Sequence, residues 1–350
     1  MPFPEFDEGR KKILFFTRGR GRGHAIPDME IAREIDALTT GAEIRFVSYG
    51  TGAQTLEAHG VPHIDLGLPD RNPINETIIL AGRLTGWLNP DLVVAHEEFP
   101  ALPAAKIFDK PTVLITDWFT DPAKYSMTTL RLADRILFLD DPGIYEEPEW
   151  VRGRVDYLGP VVRKFRYARA DRERAREELH IPAEAFVVAM LPGSWREASA
   201  PAMELVLGAF DMLRDPVKRL VWLAGEDGGL IRERTAGRTD VDVRGYEPEI
   251  DRIMVAADVA VTKGTRKTLF ELGSLGVASV SLDCSDNPID RVRARRFEGN
   301  EALAADTGVA GLAAAITTAR ERNVPASASR DAAPQCARLL WAIVSAGPEA

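Results

Sequence analysis

One order recurs along the chain and limits the fold more than any other feature: a short apolar run, a glycine turn, then a helix pattern. Its clearest copy begins at Val259-Ala260-Val261, a β-branched run, after which Lys263-Gly264-Thr265 turns the chain. Thr265 stands where a helix N-cap belongs, and Gly276 closes that helix before Ser279. In the first half, strand candidates Lys12 to Thr17, Glu43 to Ser48, Leu92 to Ala95, Thr112 to Thr116 and Arg135 to Phe138 alternate with helix candidates Pro27 to Leu38, Ile74 to Leu84 and Met127 to Ala133. A second alternation starts at Phe186 to Leu191 and continues through Leu220 to Ala224, Val259 to Val261 and Ser279 to Leu282. Each alternation predicts a parallel, doubly wound α/β sheet.

The 350 residues suffice for two such domains. The expected division is an N-terminal Rossmann-like domain over 1–162, a C-terminal one over 163–330, and a helix and tail over 331–350. Gly159-Pro160 and the charged stretch Arg169 to Leu179 read as the connection, and Leu339 to Val344 reads as a closing packed helix. The two domains are expected to face each other across a cleft, with ligands beyond the carboxyl ends of the strands.

Charge and composition remove several function classes. A net charge of -9 argues against nucleic acid as the main partner. No apolar run approaches the ~18 residues of a membrane span. Met1-Pro2-Phe3-Pro4-Glu5 lacks the order of a signal peptide, so a cytoplasmic location is expected. Cys284 and Cys336 suggest packing residues rather than a disulfide framework or a metal knuckle, and no metal site is expected.

The loops after the strands carry the candidate chemistry. A strand that feeds a helix presents unpaired N–H groups and partial positive charge, which suits a phosphate. Lys263, Gly264, Thr265, Lys267 and Thr268 surround such an end. They lack the first glycine of a P-loop, and Arg266 stands where the second belongs, so they suit a leaving diphosphate neutralised without a metal, or else form a solvated charge run. Glu271 lies about 9 Å farther along the same helix, the reach from a diphosphate to its ribose, unless it is a helix-surface residue or a local salt-bridge partner. Gly193, Ser194 and Arg196 follow the first strand of the second alternation in the same way, as a phosphate site or a plain turn. The first strand runs into Arg18-Gly19-Arg20-Gly21-Arg22-Gly23-His24, which departs from GxGxxG at His24, and the second ends in Ser48-Tyr49-Gly50 without an acid, so a nicotinamide site is not expected. His24 at this loop can take a proton from an attacking hydroxyl, or it only hydrogen-bonds the turn.

Taken in order, Arg22-Gly23-His24 with Pro27, Gly159-Pro160-Val161, Gly193-Ser194 and the block from Tyr246 to Gly276 resemble the GT-B glycosyltransferases, nearest to the MurG-type and diacylglycerol-glycosyltransferase branch. The resemblance covers about residues 12 to 300. It implies a sugar donor of the UDP-sugar class on the C-terminal domain, no cofactor and no essential metal. It also implies a ribose role for Glu271, diphosphate contacts from Gly264 and Thr265, and loop roles for Gly23, Gly193, Ser194 and His24. Arg20, Arg22 and Lys263 depart from the branch, and Asp286, Asn287 and Asp290 replace its His-Gln pair as candidates for sugar hydroxyls, or as surface-loop decoration.

The expected activity is therefore an inverting, metal-independent transfer to an acceptor hydroxyl, with His24 as base and Glu97, Glu98 or Asp117 as substitutes. Trp118-Phe119 either lines an acceptor pocket or packs in the core. A lipid or cell-envelope acceptor, with the protein peripheral to the inner face of a membrane, requires an exposed apolar patch with basic neighbours, for which Arg163, Lys164 and Arg166 offer charge. Two other readings keep the fold: a nucleotide-sugar hydrolase or 2-epimerase, and a non-catalytic nucleotide-sugar binder.

Overall fold

Continuous apolar runs become the central strands, because a parallel strand covered by helices on both faces has no polar side. In the computed structural model, which describes residues 6–71, 73–119, 128–193, 199–225, 228–283, 288–304, 306–327 and 331–346, these runs build two sheets. The first holds β1 (Lys11–Thr17), β2 (Ala42–Ser48), β3 (His63–Asp65), β4 (Leu92–His96), β5 (Thr112–Thr116), β6 (Arg135–Phe138) and β7 (Val155–Tyr157) in the order β3-β2-β1-β4-β5-β6-β7. All neighbours pair in parallel. Helices α1 (Ala25–Leu38), α2 (Gly50–Ala58), α3 (Ile74–Leu88) and α4 (Ala101–Lys106) connect the first five strands.

Alternation along β1 divides the first unit into two cores. Ile13 and Phe15 pack with Ile31, Ile35, Val94 and Ile115 on one face. Leu14 and Phe16 pack with Leu84, Leu102, Leu114 and Phe138 on the other. The chain leaves this unit between Arg163 and Lys164, and the described residues 331–346 return to it. There the C-terminal helix Ala333–Ala346 sets Cys336, Leu340 and Val344 into the core beside α1.

The second unit, 164–329, repeats the scheme with β8 (Phe186–Leu191), β9 (Lys218–Leu223), β10 (Val241–Arg244), β11 (Val259–Thr262), β12 (Ala278–Ser281) and β13 (Asn300–Ala302). Their order is β10-β9-β8-β11-β12-β13, again parallel. Helices Ser199–Met212 and Val309–Arg320 cover one face through Val206, Phe210, Leu312 and Ile316. Ile253, Met254 and Leu272 cover the other.

The charged stretch Arg169 to Leu179 is not a connection, contrary to the sequence expectation. Its helix, Arg172–Glu178, buries Ala175, and Leu179 joins the same core four positions on. Arg176 is buried too, donating to Asp258 Oδ2 at 2.9 Å and to the Ala256 carbonyl at 2.9 Å, while Arg172 also pairs with Asp258. Two of the charges, Arg172 and Arg176, are therefore satisfied against one acid, while Glu173, Arg174, Glu177 and Glu178 stay exposed. The expected helix over Met127 to Ala133 reduces, within the described residues, to a short element with a 3-10 turn at Leu130–Leu132.

In each sheet the strand order reverses between the first strand and the fourth, at β1/β4 and at β8/β11. Loops leaving those two strands diverge, which opens a crevice at the carboxyl end.

Candidate active site

In the first unit the crevice is framed by the loop after β1 and the end of β4. The loop is held on α2: the Gly52 N–H donates to the Gly19 carbonyl at 3.0 Å and the Gly21 N–H to Thr51 Oγ1 at 2.8 Å. Arg22 reaches Gln54 Oε1 at 3.1 Å and Thr55 Oγ1 at 3.3 Å. Gly19 has no room for a side chain, since a Cβ there would lie 2.3 Å from the Tyr49 ring. The loop ends at His24, directly before α1.

Opposite it, Glu97 follows β4 with φ 50°, in the left-handed region that costs a non-glycine residue of order 1–3 kcal/mol. That turn breaks the strand's alternation and brings the Glu97 carboxylate into the crevice. Glu97 Oε2 lies 3.0 Å from His24 Nε2 and accepts from Arg18 at 2.7 Å, while Oε1 accepts from the Thr116 hydroxyl at 3.1 Å. Burial alone would raise this carboxyl; His24, Arg18 and His96 outweigh it and hold it well below the usual carboxylate range. An ionised acid on the ring fixes the imidazole's orientation. With Nε2 turned to Glu97, the ring nitrogen left to take a proton from a hydroxyl is Nδ1, which is buried.

A second bridge lies beside the first. His96 Nδ1 lies 2.6 Å from Asp28 Oδ1, and the Thr17 hydroxyl donates to Asp28 Oδ2 at 2.6 Å. The His24 and His96 rings meet edge to face, with centroids 4.9 Å apart at 84°.

Of the four acid-base candidates, the structure therefore joins His24 and Glu97. Glu98 is instead buried beneath the glycine loop, where it accepts from the Tyr49 hydroxyl at 3.2 Å. Burial pushes its carboxyl up to about 7, against the pull of Arg18, Tyr49 and the Gly19 amide. Asp117 follows β5 at the same sheet end, half-buried. Phe119 is core, packed on Phe138 at 4.7 Å. Arg18, Asp28, His96 and Thr116 escaped the sequence reading. The available signal was His96-Glu97-Glu98, three ionisable residues ending an apolar strand.

In the second unit Gly193 follows β8 with φ 64°, and Ser194 and Arg196 lie outside the described residues. After β11, Gly264 has φ 79°, and a Cβ on it would lie 3.0 Å from that of Ser281. Thr265 takes the N-cap position of helix Arg266–Ser274 with extended backbone, but its side chain makes no cap bond and pairs with the Thr268 hydroxyl at 3.1 Å. The hydroxyl expected to cap the helix is thus turned to a neighbouring side chain. Lys263 and Asp290 line one pocket with Ser281, Asp283, Arg291 and Ala294. Glu271 is buried at 5% exposure, not a helix-surface residue. Lys267 and Thr268 sit half-buried in the same helix, and Tyr246 follows β10, also half-buried. Asp286 and Asn287 lie outside the described residues.

A parallel α/β unit whose strand order reverses between its first and fourth strands, made twice, has counterparts among known proteins. A MurG of Acinetobacter baumannii superposes with a TM-score of 0.61 over 96% of this chain and 99% of its own, at 15% identity. The chain has the GT-B fold, and it is similar to the MurG-type glycosyltransferases. An uncharacterized glycosyltransferase of Methanopyrus kandleri is 23% identical over 300 residues, 77% of this chain and 84% of that protein. A UDP-N-acetylglucosamine--N-acetylmuramyl-(pentapeptide) pyrophosphoryl-undecaprenol N-acetylglucosamine transferase of Desulforudis audaxviator is 28% identical over 300 residues, 77% of each chain. The GT-B fold is shared with a UDP-GlcNAc 2-epimerase of Neisseria meningitidis bound to UDP-GlcNAc, at a TM-score of 0.65, 12% identity and coverage of 96% and 100%. No protein-family profile matches the chain.

Proposed function

We propose that this GT-B protein transfers a sugar from a UDP-sugar to an acceptor hydroxyl, with inversion and without a metal. The observation that carries this reading is the His24–Glu97 bond at the switch point of the first sheet. The acceptor oxygen attacks the anomeric carbon, the bond from that carbon to the diphosphate breaks, and the hydroxyl proton passes to His24. Glu97 stabilises the imidazolium so formed. The negative charge that grows on the diphosphate is met in the second unit by the N–H groups at Arg266–Ser274, by Lys263 and by Lys267. Gly193 with Ser194 and Arg196 adds phosphate contacts, Glu271 accepts from the ribose, and Asp290 meets the sugar.

The acceptor in this reading is lipid-linked, and the protein works at a membrane surface. Ile79, Arg83 and Trp87 recur every fourth residue along α3, and Ile107 and Phe108 follow α4; all are exposed. Phe108 lies against Gly86, where a Cβ would come within 2.7 Å of its ring, so the two helices share one apolar face. Lys106, which pairs with Asp134, and Lys110 border it with the exposed Asp109 between them, so the apolar side chains rather than net charge would carry contact with a bilayer. Among the described residues no helix is long and apolar enough to cross a membrane.

Release of UDP from UDP-N-acetylglucosamine, with and without a polyprenyl-diphosphate-linked sugar in vesicles, tests the reading. Release that depends on the acceptor is expected. Donor turnover without it, whether UDP is released or the sugar is inverted at C2, would favour the hydrolase or 2-epimerase reading, and no turnover together with UDP binding would favour the non-catalytic one.

A further inference from the structure

His24 and Asp28 stand one turn apart at the start of α1, linked by the Asp28 N–H to the His24 carbonyl at 3.4 Å. His96 and Glu97 are neighbours at the end of β4. The two pairs are bridged twice, His24 to Glu97 at 3.0 Å and Asp28 to His96 at 2.6 Å, like two rungs between one helix and one strand. We propose that Asp28 and His96 are positioning residues for His24, a proposal that rests on His24 being the base.

Asp28 is fully buried, and both of its oxygens are engaged, one by His96 and one by the Thr17 hydroxyl. Its carboxylate therefore cannot rotate, and the His96 ring bonded to it is fixed in plane. That ring meets the His24 ring at 84°, so it limits how far His24 can swing away from Glu97. Glu97 is fixed in turn by Arg18 and Thr116. The charged or titratable groups facing the two rungs are Arg18 from the loop and Cys336 from the C-terminal helix, whose thiol is pushed up by burial and by nearby acids that include Asp28. A cysteine so shifted stays neutral. A purely structural role for the second rung, pinning α1 to the sheet, would predict lost stability and nothing more.

Asp28→Asn and His96→Gln separate the two roles. NMR of the free protein reads the low-field Nε2–H proton of His24, sheltered by Glu97, and steady-state kinetics read kcat and KM for UDP-N-acetylglucosamine with a polyprenyl-diphosphate acceptor. Positioning predicts that the resonance is lost to exchange, that kcat falls roughly tenfold to a hundredfold, and that the donor KM holds within about twofold. A lower melting temperature with resonance and kcat intact would overturn it. His24→Ala in parallel keeps the two readings apart: full kcat in that variant rejects the base role, while the resonance in Asp28→Asn still decides whether the ring is held. Should His96→Gln fail to fold, Asp28→Asn, of the same shape, carries the test.

Discussion

His24 and Glu97 are 73 positions apart in sequence and 3.0 Å apart in the fold. His24→Ala is expected to lower turnover by roughly a hundredfold or more and to leave donor affinity within a few fold, as loss of a general base does; unchanged kcat would remove it from the mechanism. Glu98, held against the same loop by the Gly19 amide, gives a test by pH. Its folded-state pKa is raised from 4.5 to about 7, so the folded protein holds this proton longer than the unfolded chain. Stability from this group is then lost as pH rises from 4.5 to about 7 and levels off above, by at most about 1.4 kcal/mol per unit. Glu98→Gln keeps an acceptor for Tyr49 and should flatten the fall in melting temperature between pH 5 and pH 8; an equally steep fall would locate the dependence elsewhere. At this scale the sequence showed residue types but not partners. A histidine after a glycine loop and an acid after a strand are visible as such, whereas the Asp28–His96 bridge spans 68 positions and leaves no local mark.

Among the elements, the central strands were legible because Ile13 to Phe16, Val93 to Ala95 and Val187 to Met190 are unbroken apolar runs. The edge strands were not. Val241–Arg244 and Asn300–Ala302 are half-buried and mix polar residues with apolar ones, and α2, Gly-Thr-Gly-Ala-Gln-Thr-Leu-Glu-Ala, opens with two glycines that read as turn. Those glycines have a job. A Cβ on Gly52 would lie 2.5 Å from the Arg18 carbonyl and 3.1 Å from Gly19 Cα, so Gly52→Ala should displace the loop that carries His24. A cost of about 1–3 kcal/mol in stability and a lower kcat are expected, measured by denaturant melts and turnover; full activity would show that the loop tolerates the shift. The apolar face of α3 and α4 predicts a different readout. The double variant Trp87→Ala with Ile107→Ala should lose co-sedimentation with vesicles containing anionic lipid and keep UDP binding, while retained sedimentation would assign that face another role.

For the molecule as a whole, the double alternation was enough to predict two parallel doubly wound sheets, since each copy carries its own strand, glycine turn and helix. What it did not reveal is that the last helix belongs with the first unit: Cys336, Leu340 and Val344 complete a core whose other members end near Val161. Nor did the charges of Arg169 to Leu179 show that two of them, Arg172 and Arg176, meet Asp258 beside the second core. The central claim, that this two-unit chain uses a UDP-sugar as donor, rests on the turn at Gly264 and on the buried Glu271 behind it. Calorimetric titration of UDP into the wild-type protein and Glu271→Ala, both in EDTA, tests it most directly. The account predicts binding to the wild type and a loss of about 1.5 to 3 kcal/mol in the variant, the usual value for a hydrogen bond to a charged group. No UDP binding by the wild type, or equal affinity in the two proteins, would contradict it.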